Sequence, residues 1–185
     1  MPRAHRLAIL LSLAFGAACA SLGVEVDYDP EEDFSAYSTF AWLPGRAPQT
    51  GDYRVDNPLI DARIRKAVED NLTAKGFVKR TDRRPDFYVK YFLAIEKKLD
   101  VYTVNRGYVD HWGYRISVPE TRVREYEEGT LVIDIADARE KELVWRGVGK
   151  GRLREQPTPE QTTRSVDDAV AAILKDFPPG GASRG

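Results

Sequence analysis

The sequence predicts an α+β fold: a two-layer sandwich with a mainly antiparallel sheet and two amphipathic helices packed on one of its faces. Three observations carry that reading. Stretches 57–75 and 158–177 repeat apolar residues at helical spacing between clear start and stop signals. Stretches 86–96 and 121–136 alternate as strands do, and 143–153 returns after a polar turn as a hairpin partner. Strand, helix, several strands and a closing helix is the order of one sheet covered on one side.

Residues 27–33 are acidic, hold Pro30, and read as a solvated tether or edge segment leading into the domain. Their Asp-x-Asp start is no calcium loop, because Glu32 and Ser38 stand where that loop needs glycine and glutamate. Residues 35–43, with Tyr37, Phe40 and Trp42, read as a first strand, and the Pro- and Gly-rich stretch 44–56 as a loop.

The first helix has Asn57 as N-cap, Pro58 at its first position and Gly76 as its stop. Ile60, Ile64, Val68 and Leu72, with Ala67 beside them, form its apolar stripe. In 86–96, Phe87, Val89, Tyr91, Leu93 and Ile95 share one face and the other face is mixed. Leu131, Ile133 and Ile135 do the same in 121–136. Gly147, Gly149 and Gly151 leave one face of the next strand bare, so a helix or another chain must approach there. The last helix starts with Thr158, Pro159 and Gln161, a cap, a first-position proline and a capping-box glutamine. Val166, Ala169, Val170, Ile173, Leu174 and Phe177 form its stripe, and Pro178 and Pro179 end it.

The N-terminus points to an address. Arg3 and Arg6 precede an apolar run of about nine residues, 7–15, about half of the ~20 that a membrane-spanning helix requires. Gly16, Ala17 and Ala18 then lead to Cys19, the one cysteine of the chain. That is the pattern of a lipoprotein signal peptide, although Gly16 stands where leucine is commonest. Cys19 would be the first, lipid-bearing residue of a secreted protein, and no disulfide can form within the chain. If sorting follows the enteric rule, Ala20 after the cysteine implies the outer membrane, with the domain facing the periplasm. The alternative is an ordinary cleavage site around Ala18-Cys19-Ala20, leaving a soluble secreted protein. The expected organisation is a signal peptide at 1–18, a lipidated N-terminus and tether at 19–34, one α+β domain at 35–179 and a disordered tail at 180–185.

Without residues 1–18 the 28 basic residues of the chain lose two, against 29 acidic, for a net charge of about −3. That balance gives no reason to expect a nucleic-acid partner.

Several short stretches, in order, resemble one known family. They are Asp27-Tyr28-Asp29, Asp33-Phe34-Ser35, Thr39-Phe40-Ala41-Trp42, Asn57-Pro58-Leu59 with Arg63-Ile64, Lys75-Gly76-Phe77 and Pro85-Asp86-Phe87. Gly129-Thr130-Leu131 with Asp134, Leu143-Val144-Trp145-Arg146-Gly147 and Phe177-Pro178-Pro179 complete the set. The chain thereby resembles the bacterial lipoproteins grouped as domain of unknown function 4136. That resemblance implies a lipid-anchored envelope protein with no agreed activity. The element order is also similar to small α+β docking modules of other envelope lipoproteins, an analogy of fold alone. Family members often carry a Gly-, Tyr- and Trp-rich middle. Here the corresponding stretch, 100–120, keeps Tyr102, Tyr108, Trp112 and Tyr114 with only Gly107 and Gly113.

No catalytic residue, cofactor site or metal site is expected from the motifs. His111 is the one histidine beyond the signal region, too few for a histidine metal cluster. Gly147 to Gly151 is glycine-rich but lies in a strand with no helix after it, so it is no phosphate cradle. Asp134 and Asp137, three apart, fall on opposite strand faces and read as strand-edge and turn residues. The leading expectation is a non-catalytic binding or scaffolding module, touching another envelope protein or peptidoglycan through a sheet edge or through Tyr108, Trp112 and Tyr114. Folding of those rings back into the core is the competing reading. The rival functions are an envelope hydrolase using Glu125, Glu127 and Asp134, and a purely structural or stress-related lipoprotein.

Overall fold

The computed structural model describes residues 22–45, 50–109 and 111–180. Cys19, the signal region and the tail at 181–185 lie outside the described residues. The elements are β1 (Gly23–Tyr28), a 3-10 turn (Phe34–Ala36), β2 (Thr39–Trp42), α1 (Pro58–Ala74), β3 (Val78–Lys79), β4 (Phe87–Val109), β5 (Arg115–Asp137), β6 (Leu143–Arg152) and α2 (Pro159–Ile173). One six-stranded sheet runs in the order β1-β6-β5-β4-β2-β3. β1 to β6, β6 to β5 and β5 to β4 pair antiparallel, whereas β2 pairs parallel with both β3 and β4. The fold is the expected α+β sandwich with two helices on a mainly antiparallel sheet.

Three stretches differ from expectation. Residues 23–28, assigned to the tether, form edge strand β1, since Val24, Val26 and Tyr28 lie opposite Gly149, Gly147 and Trp145. In 35–43, Asp33 accepts the backbone N–H of Ser35 and caps the 3-10 turn, so the strand starts only at Thr39. The aromatic middle is continuous strand: β4 and β5 stay in register from Phe87↔Asp137 to Val109↔Arg115.

Both helices cover the face that carries Phe87, Val89, Tyr91, Leu131, Ile133 and Ile135. Asn57 accepts the N–H groups of Leu59 and Ile60 at the start of α1. Thr158 and Gln161 form the full capping box of α2. α1 buries Ile60, Ile64, Ala67, Val68 and Leu72, and α2 buries Val170 and Ile173. Phe177, just past α2, meets Phe77 at 5.6 Å, Phe87 at 5.7 Å and Trp145 at 5.2 Å between ring centroids. The bare glycine face receives α2: a Cβ on Gly147 would lie 2.5 Å from Ile173 Cγ2, and one on Gly149 2.8 Å from Ile173 Cδ1.

Polar residues pin the end of the sheet where β4 begins. Asp86 Oδ2 accepts from the N–H and hydroxyl of Ser38 and of Thr39, at 2.8 to 3.1 Å, tying β2 to β4. Burial alone would raise the Asp86 carboxyl, but these donors outweigh it and hold it below the ordinary carboxylate range. Asp137 accepts the N–H groups of Arg139 and Glu140 in the β5–β6 turn and the hydroxyl of Tyr37.

Candidate functional site

β4 and β5 are each 23 residues long, more than twice the 10 of β6. β2 leaves β4 after Val89, and β6 leaves β5 at Glu128. Beyond Glu127, whose carbonyl still accepts the N–H of Leu153, the strands pair only with each other among the described residues, from Lys98↔Tyr126 to Val109↔Arg115. The result is a two-stranded arm about 40 Å long at ~3.3 Å per residue. Local sequence favours it: Val101, Tyr102, Thr103 and Val104 in β4 and Ile116, Val118, Thr121 and Val123 in β5 are β-favouring residues, and Gly113 turns the chain with φ +84°.

Neither helix covers this arm. Leu99, Val101 and Val123 are exposed on the face that continues the core side, and Tyr102, Ile116 and Val118 on the opposite face. Tyr108 is 50 % exposed, Trp112 75 % and Tyr114 72 %, so the rings named from sequence cluster at the arm's tip and are not core. His111 lies beside Trp112, 4.6 Å between ring centroids. Ion pairs cross the arm, with Lys97 on Glu125 at 3.0 Å and Arg106 on Glu120 at 3.0 Å. At its base Arg54 donates through both terminal nitrogens to Glu127, at 2.6 and 3.0 Å, while also holding Asp52. Arg152 lies over the Tyr126 ring, 4.3 Å from its centre. An open polar groove of about 510 Å³ runs there, lined by Lys97, Arg124, Glu125, Glu127 and Arg154 among others.

The carboxylates that a hydrolase would use are not brought together. Asp134 lies on the face away from the helices, gripped by Arg146 at 2.7 and 2.8 Å, whereas strand parity places Glu125 and Glu127 on the other face. Glu125 and Glu127 are neighbours in the groove, but each is held by a cation. A general acid needs a raised carboxyl, and the hydrogen bonds from Arg54 lower that of Glu127. Among the described residues, no three His, Cys, Asp or Glu side chains converge as a metal site would require.

Sequence reading found the tip aromatics but missed the arm that carries them and the Arg54 clamp at its root. The signal available was the β-branched and aromatic content of 99–104 and 116–123 together with the opposed charges of Lys97 and Glu125.

These features define an α+β sandwich domain with one projecting hairpin. The chain belongs to the family described as Domain of unknown function (DUF4136), which matches residues 24–179. Among solved structures it is similar to a PDZ domain protein from Parabacteroides distasonis ATCC 8503, at 15% identity and TM-score 0.56, over 88% of this chain and 37% of that one. This chain thus spans little more than a third of that protein, and the likeness is one of fold. A PelC dodecamer from Paraburkholderia phytofirmans aligns at 12% identity and TM-score 0.47, over 83% of this chain and 96% of that one. No curated protein matches the sequence.

Proposed function

We propose that this protein is a lipid-anchored envelope protein, secreted across the inner membrane, acylated at Cys19 and held at the outer membrane facing the periplasm. There it acts as a non-catalytic binding or scaffolding module. The signal pattern before Cys19 supports the anchor, and two or three acyl chains hold a protein to a bilayer far more firmly than one. The observation that carries the binding role is the arm, with Tyr108, Trp112 and Tyr114 exposed at its tip. Large exposed aromatics are the side chains most enriched at contact hot spots. The ion-paired state of Glu125, Glu127 and Asp134 weighs against the hydrolase reading.

The test of the anchor is to express the full chain and a Cys19→Ala variant in a diderm bacterium, fractionate the envelope and measure intact mass. Expected is an acylated N-terminus at Cys19 in the membrane fraction, lost in the variant. A soluble, unmodified product cut elsewhere would overturn the reading.

A further inference from the structure

The N-terminus leaves the sheet at the end from which the arm projects. Gly23 lies opposite Lys150, Lys150 opposite Thr130 and Thr130 opposite Ala94, so these four residues form one row across the sheet. β1 is antiparallel to β6 and β6 to β5, so the chain preceding Gly23 departs on the arm side of that row. Cys19 is four residues before Gly23, a reach of at most about 14 Å at ~3.6 Å per residue. The opposite end of the sheet, at Phe87, is seven residues from Ala94, about 23 Å at ~3.3 Å each. A lipid on Cys19 therefore cannot reach past the far end of the sheet, which excludes a membrane lying against that end.

The arm is far longer than the tether. From Ala94 to Val109 it extends about 50 Å at ~3.3 Å per residue, against ~14 Å for the tether. An arm aimed straight at the membrane would have to cross the ~30 Å hydrocarbon core and carry Arg106, Glu120 and Arg122 into it, where charges on a strand are costly. The remaining geometry lays the arm along the surface.

Resting on the anchoring reading, we propose that the arm lies on the lipid surface that holds Cys19, with Trp112 and Tyr114 and the face of Tyr108, Ile116 and Val118 seated in the headgroup region. The chemistry suits that place, since Trp and Tyr concentrate at the boundary between headgroups and acyl chains. Residues 97–127 carry six basic and five acidic side chains, so apolar and aromatic contact, not charge, supplies the attraction. The arm thereby adds a second attachment that fixes the orientation of the domain on the membrane.

The test uses the full chain from a diderm host, reconstituted in phosphatidylethanolamine and phosphatidylglycerol vesicles with and without brominated acyl chains. Trp112 is one of three tryptophans, and its emission is obtained by difference from a Trp112→Phe variant. Near-UV circular dichroism verifies that the variant is folded. Expected are acylation of Cys19 by intact mass, a blue shift of Trp112 emission, and loss of most of it to bromolipid. The loss should persist at 1 M salt, where the screening length falls to about 3 Å. Acylated protein whose Trp112 is quenched by aqueous iodide and not by bromolipid would overturn this inference and leave the anchor standing. Trp112 shielded from both quenchers would overturn it in favour of a protein cover. An unmodified Cys19 would overturn the anchor and this inference together.

Discussion

The body and the arm share strands β4 and β5, yet different forces hold them. Between Phe87 and Tyr91, β4 packs alternate residues under two helices, and Phe87 and Val89 are fully or almost fully buried. Ten residues further on, the same strand exposes Leu99 and Val101 on the core-side face with nothing above them. In the body, hydrophobic burial and backbone hydrogen bonds act together. In the arm only the hydrogen bonds, cross-strand pairs and surface ion pairs remain, and a lone two-stranded ribbon is marginal in water. The contrast teaches that cross-strand pairing alone orders the arm, whereas the body adds burial under two helices to the same pairing.

The strongest way to break the contrast is at Trp145, fully buried beneath α2. Trp145→Ala is expected to cost about 3–5 kcal/mol in urea unfolding, the range for emptying a large aromatic site. Trp145→Phe should cost much less, because the indole Nε1 has no hydrogen-bond partner among the described residues.

Two mid-sized effects sharpen it. Gly147→Ala drives a methyl into Ile173 and the Trp145 ring, and should cost about 1–3 kcal/mol by overpacking. Asp86→Ala strands the donors of Ser38 and Thr39 and should also cost about 1–3 kcal/mol at neutral pH. The folded carboxyl of Asp86 is lowered, so its stabilisation is present above the unfolded value of about 3.9 and is lost as pH falls through the lower folded value. The variant should therefore lose less stability than the parent between pH 5 and pH 2, and equal losses would count against this role for Asp86.

The smallest effect is expected at the tip. Replacing Tyr108, Trp112 and Tyr114 by serine should shift unfolding by no more than about 0.5 kcal/mol per site, because these side chains are exposed. A loss of several kcal/mol at any one of them would mean that the tip is structural after all.

The same contrast explains what could be read from sequence. α1 and α2 were legible because one face of each is buried and their ends carry Asn57, Pro58, Gly76, Thr158, Pro159 and Gln161, whose chemistry is local. The glycine face of β6 was legible because a missing side chain demands a close neighbour, and Ile173 fills that place. The arm was not legible as strand. Burial on one face is what writes a period of two into a sequence, and with both faces exposed Leu99, Val101, Tyr102 and Val104 follow no alternation. β1 was hidden for a different reason. Its pairing with β6 spans more than a hundred residues, and its acidic side chains suggested solvent, which Glu25 meets while pairing with Lys150. Among the candidate contacts, the type of residue was legible and the 40 Å lever holding them was not.

The most direct test of the contrast is hydrogen exchange of the full chain, followed by mass spectrometry, in detergent-free buffer and on vesicles. Amides of 131–137 and 143–149 should exchange only through global unfolding in both conditions, while those of 99–106 and 116–125 exchange orders of magnitude faster in buffer and slow markedly on the vesicles. Arm amides as protected as those of the body in buffer, or unchanged by vesicles that carry the acylated protein, would contradict the account.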